Sequence, residues 1–317
     1  MESITLEKAA SLLSEKDNIL ILMHRSPDGD TIGCGYALCL ALRSMGKKAQ
    51  AVCSDPIPAK YSYITDHVDE QSFDPEYIVS VDIAAPQLFG EGLSGYVDRV
   101  DLCIDHHGSN SGFAKYGFVD PSAAACAQII ARLIDLMGVE TSSVIADAIF
   151  TGVSTDTGCF KFSNTTAETY RIAADMIDRG AQGFMISRLM FDTKSRSQLE
   201  LEKLALDTLE YRCDGKIAII TLTTEMMTAT GADDSETEYI TSLPRQIEGV
   251  LVGITIKQKS PELCRISVRA AVGTDASAIC SVFGGGGHKG AAGCSIEASP
   301  DEAKERIAAA AAEVIGK

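Results

Sequence analysis

Side chains suited to binding divalent metal ions recur in four short polar clusters. Residues 24–30 read His-Arg-Ser-Pro-Asp-Gly-Asp, residues 105–107 read Asp-His-His, and single aspartates lie at positions 82 and 156. Four carboxylates brought together would repel one another, whereas two divalent cations would cancel their four negative charges. The candidate metal ligands are His24, Asp28, Asp30, Asp82, His106 and Asp156.

This ligand set indicates a particular chemistry. Carboxylate and imidazole ligands without thiolate favour manganese, with magnesium, cobalt or zinc as alternatives. Two such ions close together activate water and stabilise both the attacking and the leaving oxygen of a phosphoryl displacement. Each cluster alone is also typical of a turn or a helix cap. Four of the five histidines, however, lie in motif-like segments, at His24, His106, His107 and His288, which favours a site.

The elements that must position these residues alternate between strands and helices. Apolar runs predict strands over 18–24, 48–53, 77–82 and 100–105, and helical spacing predicts helices over 31–45, 122–137, 143–155, 166–179 and 183–190. This alternation predicts an α/β fold with a mostly parallel sheet and helices on both faces. The metal-type clusters follow the strands, and the carboxyl ends of parallel strands share the edge where ligands bind.

The rest of the chain predicts a smaller α/β domain. Amphipathic spacing over 195–211 indicates an exposed helix, followed by strands over 216–222, 250–257 and 263–271, a helix near 236–248 and a last helix from Pro300. We therefore predict a metal-binding catalytic domain over 1–192, a connecting helix over 193–212 and a substrate-binding domain over 213–317, facing the first across a cleft.

The second domain carries a predicted phosphate-binding surface. Strand geometry places Arg265, Ser267 and Arg269 on one face, so that two guanidinium groups can contact an anion. A glycine run, Gly285, Gly286 and Gly287, is followed by His288, and glycines allow backbone N–H groups to approach a phosphate closely. We predict that these residues bind the substrate.

Composition limits the class of ligand. The 317 residues are 45% hydrophobic, and 28 basic against 44 acidic residues give a formal charge of −16. This charge disfavours long nucleic acid, whereas a small phosphate compound can bind where buried cations reverse the local field. Ten scattered cysteines are expected to be reduced. No apolar run is long enough to span a bilayer and no signal peptide is evident, so we expect a cytoplasmic protein without membrane contact.

Together, the motifs His-x-x-Pro-Asp-Gly-Asp, Val-Asp, Asp-His-His and Thr-Asp resemble those of the DHH phosphoesterases. The glycine-rich segment 283–293 resembles the signature of the DHH-associated C-terminal domain. The resemblance is strongest to stand-alone nanoRNases that also act as 3′-phosphoadenosine 5′-phosphate phosphatases. It implies exoribonuclease-like hydrolysis of short oligonucleotides to 5′-monophosphates, and conversion of the bisphosphate nucleotide to AMP. A homodimer is left open.

The resemblance also implies residue roles. One metal would be held by His24, Asp28 and Asp82, and the other by Asp30, Asp82, His106 and Asp156, with Asp82 bridging. Asp105 would orient ligands, and His107 would face the scissile phosphate.

The sequence departs from the family pattern at two positions and leaves other activities open. Gln128 stands where an acidic residue is expected, and Gly290 stands where relatives often have asparagine. The alternatives are an inorganic pyrophosphatase, a phosphodiesterase acting on cyclic or linear signalling dinucleotides, and a non-catalytic nucleotide sensor. The pyrophosphatase lacks support because its basic C-terminal signature is missing. A sensor would not need all six metal-type side chains.

Overall fold

The chain folds into two compact units. The computed structural model describes residues 1–237 and 239–316. The first unit spans Met1–Thr193, and the second begins at Lys194. Among the described residues, no helix has both the length and the apolar character needed to cross a membrane.

The first unit is built on a six-stranded parallel sheet in the order β1-β6-β5-β4-β2-β3. Its strands are β1 (Glu2–Ser3), β2 (Ile19–Leu22), β3 (Ala49–Val52), β4 (Tyr77–Val81), β5 (Leu102–Asp105) and β6 (Tyr116–Val119). Its helices are α1 (Leu6–Glu15), α2 (Gly29–Ser44), α3 (Ser62–Thr65), α4 (Cys126–Leu136), α5 (Ser143–Asp156), α6 (Ala167–Asp178) and α7 (Gly183–Ser187), with a π-helical turn at Arg188–Asp192.

Both faces of this sheet are apolar and covered. Ile19 and Ile21 of β2 pack into a core shared with α1, α2, α4 and α5. Leu20 and Leu22 point to the opposite face, where the 3₁₀ segments Pro86–Phe89 and Glu91–Arg99 cover them. From β2 the chain passes to β3 on one side, and from β4 it passes to β5 on the other. The carboxyl ends of β2 and β4 therefore flank the switch point where open α/β sheets bind ligands.

The second unit contains a mixed sheet in the order β11-β12-β10-β9-β8-β7, in which β8 and β9 are parallel and the other pairs are antiparallel. The strands are β7 (Glu210–Arg212), β8 (Ile217–Leu222), β9 (Val252–Ser260), β10 (Leu263–Ala270), β11 (Gly286–Gly287) and β12 (Ala291–Ile296). Helices α10 (Ala276–Ser281) and α11 (Pro300–Ile315) pack on one face, and α8 (Arg196–Leu206) and α9 (Thr224–Thr230) lie against the other.

Several elements differ from the sequence prediction. The helix predicted near 236–248 is instead two 3₁₀ segments, Asp234–Thr237 and Tyr239–Gln246, and residue 238 lies outside the described part. Pro244 lies inside the second segment, where its missing N–H disfavours an α-helix. The helix predicted over 195–211 ends at Leu206, and the chain continues into β7. The prediction also missed the short elements β1, α3, α9 and β11, and the longer elements α1, β6, α10 and β12.

Candidate metal centre

The polar clusters lie together at the carboxyl edge of the first sheet. His24 follows β2, and Asp82 directly follows β4. His106 and His107 follow β5, and Asp156 is the last residue of α5. Since these strands are parallel neighbours, their ends bring residues from distant parts of the chain to one place.

A first group consists of His24, Asp28 and Asp82. Nε2 of His24 lies 3.5 Å from Oδ1 of Asp28 and 3.6 Å from Oδ2 of Asp82. Asp28 also caps α2, because its Oδ1 accepts hydrogen bonds from the backbone N–H groups of Asp30 and Thr31 at 3.0 and 3.1 Å. One atom from each member of the group lies within 4.8 Å of the others, a spacing that suits one metal ion.

A second group consists of Asp30, His106 and Asp156, and it satisfies the same spacing. Nε2 of His106 lies 3.9 Å from Oδ2 of Asp30 and 3.6 Å from Oδ2 of Asp156. Oδ1 of Asp82 is 3.5 Å from the same nitrogen. Asp82 therefore turns one carboxylate oxygen toward each group.

The conformation of Asp82 fits a metal-binding role. The residue is buried, and its backbone is left-handed with a φ of 58°, which is uncommon outside glycine and concentrates at functional sites. Its Oδ1 is buried without a hydrogen-bond partner among the described residues. An unpaired buried carboxylate oxygen is costly, and a cation between Asp82 and its neighbours would compensate it.

Two of the histidines around Asp82, His24 and His106, are oriented for metal binding. Nδ1 of His24 lies 2.8 Å from the carbonyl oxygen of Arg25, and Nδ1 of His106 lies 3.1 Å from that of Ala123. A carbonyl oxygen can only accept a hydrogen bond, so Nδ1 carries the proton in both rings. Nε2 of each ring then faces carboxylate oxygens, and with a metal bound it would present its lone pair to the ion, as in a metal-ligating histidine.

The carboxylates of the cluster repel one another in the absence of a cation. Burial and the nearby charges of Asp30 and Asp82 raise the pKa of Asp156 to about 9. Burial and Asp30 likewise raise the pKa of Asp82. For His24 burial favours the neutral ring, but the hydrogen bonds and charges of Asp28 and Asp82 outweigh it and raise the pKa to about 11. The metal-free site therefore retains protons where bound cations would replace them.

Asp30 has a second contact that sequence reasoning missed. Its oxygens accept hydrogen bonds from the backbone N–H groups of Cys126 and Ala127 at 2.6 and 2.9 Å. These groups form the amino terminus of α4, whose own N-cap residue, Ala125, has no capping side chain. This contact explains why α4 begins at Cys126 and not at Ser122 as predicted, because the cap comes from α2, 96 residues earlier in the chain.

Asp105 and His107 form a hydrogen-bonded pair beside the two groups. Nδ1 of His107 lies 2.8 Å from Oδ1 of Asp105, and the hydrogen bond raises the pKa of His107. Asp105 is fully buried, whereas the His107 side chain is 33% exposed. Burial favours the protonated form of Asp105, but hydrogen bonds from His107 and Asn110 outweigh it and lower the pKa. Asp105 is thus an ionised acceptor that fixes the ring of His107.

The predicted substrate-binding residues lie in the second unit. Along β10, Arg265 is exposed and Ser267 and Arg269 are partly exposed, while the intervening side chains are buried, as the alternation predicted. Nη2 of Arg269 lies 3.3 Å from the hydroxyl of Thr241. His288 is exposed, and its backbone N–H donates to the carbonyl of Ala291 at 2.8 Å.

Two of the three predicted glycines have a packing role. A Cβ at Gly285 would lie 2.3 Å from the carbonyl oxygen of Gly293, and one at Gly287 would lie 2.6 Å from that of Ala291. Gly287 also has a φ of 146°. Nothing lies near a Cβ at Gly286, so close packing against β12 requires only its two neighbours to be glycine.

Gln128, where an acidic residue was expected, is buried beside the centre. Its Oε1 accepts hydrogen bonds from the N–H of Ala124 at 3.0 Å and from the hydroxyl of Thr169 at 3.1 Å. A carboxylate oxygen could accept the same two bonds, so the substitution preserves this function of the side chain. For Gly290 nothing in the structure explains the departure.

Comparison with known proteins agrees with this architecture. Residues 18–153 match the DHH family, N-terminal domain, and residues 215–317 match the DHHA1 domain. The chain is 34% identical to the bifunctional oligoribonuclease and PAP phosphatase NrnA of Thermus thermophilus, over 91% of this chain and 87% of that one. It is 25% identical to the Bacillus subtilis protein of the same name, over 93% and 94% of the two chains.

A solved structure supports the fold. An exopolyphosphatase-related protein from Bacteroides fragilis superposes with a TM-score of 0.89 at 24% identity, covering 97% of this chain and 96% of that one. At this identity the likeness concerns the fold alone. With the two domain matches and the Thermus relative, the conclusion is that this chain belongs to the DHH family of phosphoesterases, whose members are metal-dependent hydrolases, and carries a C-terminal DHHA1 domain.

Proposed function

We propose that this protein is a phosphoesterase that uses two divalent cations to hydrolyse short oligoribonucleotides and 3′-phosphoadenosine 5′-phosphate (PAP). The observation that carries the proposal is the position of Asp82, whose two oxygens face two separate groups of ligands. One cation would be held by His24, Asp28 and Asp82. The other would be held by Asp30, Asp82, His106 and Asp156.

Manganese is the proposed ion. Every proposed ligand is a carboxylate or an imidazole, and manganese accepts this mixture. Sγ of Cys34 lies 3.5 Å from Oδ1 of Asp30, and Sγ of Cys53 donates to the backbone carbonyl of His24 at 3.1 Å and so contacts no ligand atom. Burial raises the pKa of the Cys34 thiol well above its usual value, so it stays protonated and is a poor ligand.

The substrate class is proposed from two observations. The relatives from Thermus thermophilus and Bacillus subtilis are named as enzymes acting on oligoribonucleotides and PAP, and this chain covers most of each. The formal charge of −16 independently disfavours long polyanions, because repulsion grows with the number of phosphates. A substrate of two to about five nucleotides carries few charges for the cations to offset.

The proposed reaction is hydrolysis at the 3′ oxygen of a nucleoside. Bound cations would supply the positive charge that activates water and stabilises the developing charge on phosphate. Water adds to phosphorus, the bond from phosphorus to the 3′ oxygen breaks, and that oxygen leaves with a proton. The products are a nucleoside 5′-monophosphate from RNA, and AMP and phosphate from PAP. His107, held by Asp105, would contact the scissile phosphate or the leaving oxygen through Nε2.

The second unit is proposed to bind the rest of the substrate. Arg265, Ser267 and Arg269 share one face of β10, and guanidinium groups bind phosphate with two parallel hydrogen bonds. His288 and the backbone of Gly286 are exposed in the adjoining glycine-rich segment. Contacts to a neighbouring nucleotide would select for length.

The test is to measure kcat/KM in manganese for several substrates. These are an RNA dinucleotide, PAP, a linear signalling dinucleotide, pyrophosphate, and RNAs of up to about 25 nucleotides. The RNA lengths bracket the reach of one binding site. We expect turnover of the dinucleotide and PAP, with 5′-monophosphate products and a fall in kcat/KM beyond about five nucleotides. Equal or rising kcat/KM with length, products bearing 3′-phosphates, or activity on pyrophosphate alone would contradict the proposal.

A further inference from the structure

The side chain of Asn110 hydrogen-bonds to Asp105, the partner of His107, and to two neighbouring backbone groups. Its Nδ2 donates to Oδ2 of Asp105 at 2.7 Å and to the carbonyl oxygen of Ile83 at 3.2 Å. Its own Oδ1 accepts the N–H of Gly112 at 2.9 Å. Both ends of the amide are therefore engaged, and the side chain has one orientation.

The contact with Asp105 completes the environment of a buried carboxylate. Oδ1 of Asp105 accepts the N–H of His106 at 2.8 Å, the N–H of His107 at 3.2 Å and Nδ1–H of His107 at 2.8 Å. The hydrogen bond that Oδ2 accepts comes from Asn110. Since Asp105 is fully buried, loss of this donor would leave a charged oxygen without its partner.

The contact with Ile83 connects two strand ends. Ile83 directly follows Asp82, the residue that faces both ligand groups, and Asp105 is the last residue of β5. A backbone hydrogen bond from Ser111 to the carbonyl of Ala84, at 2.8 Å, holds the same two loops together. Asn110 thus joins the segment after β4 to the carboxylate that holds His107.

We propose that Asn110 is a positioning residue that acts through Asp105 to fix the ring of His107 against the scissile phosphate. The inference rests on the proposed phosphoesterase function. Asparagine suits this position because one amide group donates to two acceptors in different loops and accepts from a third group. Alanine would remove all of these bonds, and residues that orient the groups around a metal site typically change activity by about 10- to 100-fold.

The experiment is a double-mutant cycle on the full-length protein in manganese, with an RNA dinucleotide as substrate. We expect Asn110→Ala to lower kcat about 10- to 100-fold with a smaller change in KM and with unchanged bound metal. In a His107→Ala background the same substitution should lower kcat by less than about threefold, because its effect passes through the missing ring. The same factor in both backgrounds, wild-type kcat in Asn110→Ala, or loss of metal would each overturn the proposal.

A second readout does not depend on activity. The chain has five histidines, so the ring N–H of His107 can be assigned by NMR in the magnesium-loaded protein with His107→Ala as reference. We expect slow solvent exchange of the Nδ1–H in the wild type and faster exchange in Asn110→Ala. Equal exchange would contradict the inference. If the wild type hydrolyses no substrate, the proposed function fails and this measurement alone decides the role of Asn110.

Asp101→Ala is the matched structural control. Oδ2 of Asp101 accepts the N–H of Ile78 at 3.0 Å and so joins β4 and β5 at the ends opposite the site. It should lower stability without lowering kcat. Should Asn110→Ala fail to fold, Asn110→Ser replaces it in both measurements, since a shorter hydroxyl cannot span the same acceptors.

Discussion

Asp82 and His106 meet with two acceptor atoms turned toward each other. Oδ1 of Asp82 lies 3.5 Å from Nε2 of His106, and that ring already directs Nδ1 to the carbonyl of Ala123. Nε2 of His24 lies 3.6 Å from the other oxygen of Asp82. Such pairs are stable when a proton or a cation lies between them, so Asp82 is the residue on which both proposed ions depend.

Asp82→Ala should therefore affect both ions. We expect bound manganese, measured by elemental analysis, to fall from two ions per chain to one or none, and kcat to fall by more than about 100-fold, beyond the range of residues that only orient ligands. Asp178→Ala removes an equal charge from an exposed position on α6 and should change neither quantity. Two bound ions and near-normal turnover in Asp82→Ala would refute the bridging role.

Metal binding should depend on pH. Without metal the pKa of Asp156 is raised to about 9, above its ordinary value of 3.8, so the native state retains a proton that the unfolded chain loses. The stability of the metal-free protein should then fall as the pH rises from the ordinary pKa of 3.8 to the raised pKa of about 9. Because the ligands must be ionised, manganese should release protons and raise Tm more at about pH 8 than at about pH 6. Calorimetry in two buffers of different ionisation enthalpy measures the release, and an absence of proton release would contradict this account.

Arg269→Ala should impair substrate binding and leave the metals in place. Loss of a charge-assisted contact worth about 1.5 kcal/mol or more lowers kcat/KM about tenfold or more. Arg306→Ala, which removes an arginine from α11 of the same unit, should keep normal kinetics. Since Arg269 also contacts Thr241, Tm is measured for both variants. A loss of bound metal in Arg269→Ala would show that the assignment of Arg269 to substrate binding is wrong.

Two adjacent glycines should respond differently to alanine. At Gly287 a Cβ would lie 2.6 Å from a backbone oxygen, and φ is 146°, so Gly287→Ala should cost about 1–3 kcal/mol of stability. At Gly286 the space is open, and Gly286→Ala should leave Tm nearly unchanged. Thermal unfolding of the two variants provides the comparison. Equal Tm values would show that the packing of this segment against β12 is not what requires Gly287.

The sequence was sufficient to predict the location of those residues of the candidate centre that directly follow strands. Short apolar runs followed by His24, Asp82 and His106 placed these side chains at one sheet edge, because parallel strands share their carboxyl ends. It could not reveal the contact of Asp30 with the start of α4, which joins residues far apart in the chain and leaves no local pattern. It also missed the pairing of β11 with β12, since glycine strands carry no alternation of side chains.

Two bound cations are proposed to be needed for hydrolysis. The most direct test is to measure turnover of an RNA dinucleotide while metal-free protein, prepared with a chelator, is titrated with manganese. Bound metal is measured in the same samples. We expect no turnover in the metal-free protein, little with one ion per chain, and full turnover with 5′-monophosphate products when two ions are bound. Full turnover in the metal-free protein, or a maximum at one ion per chain, would contradict the account.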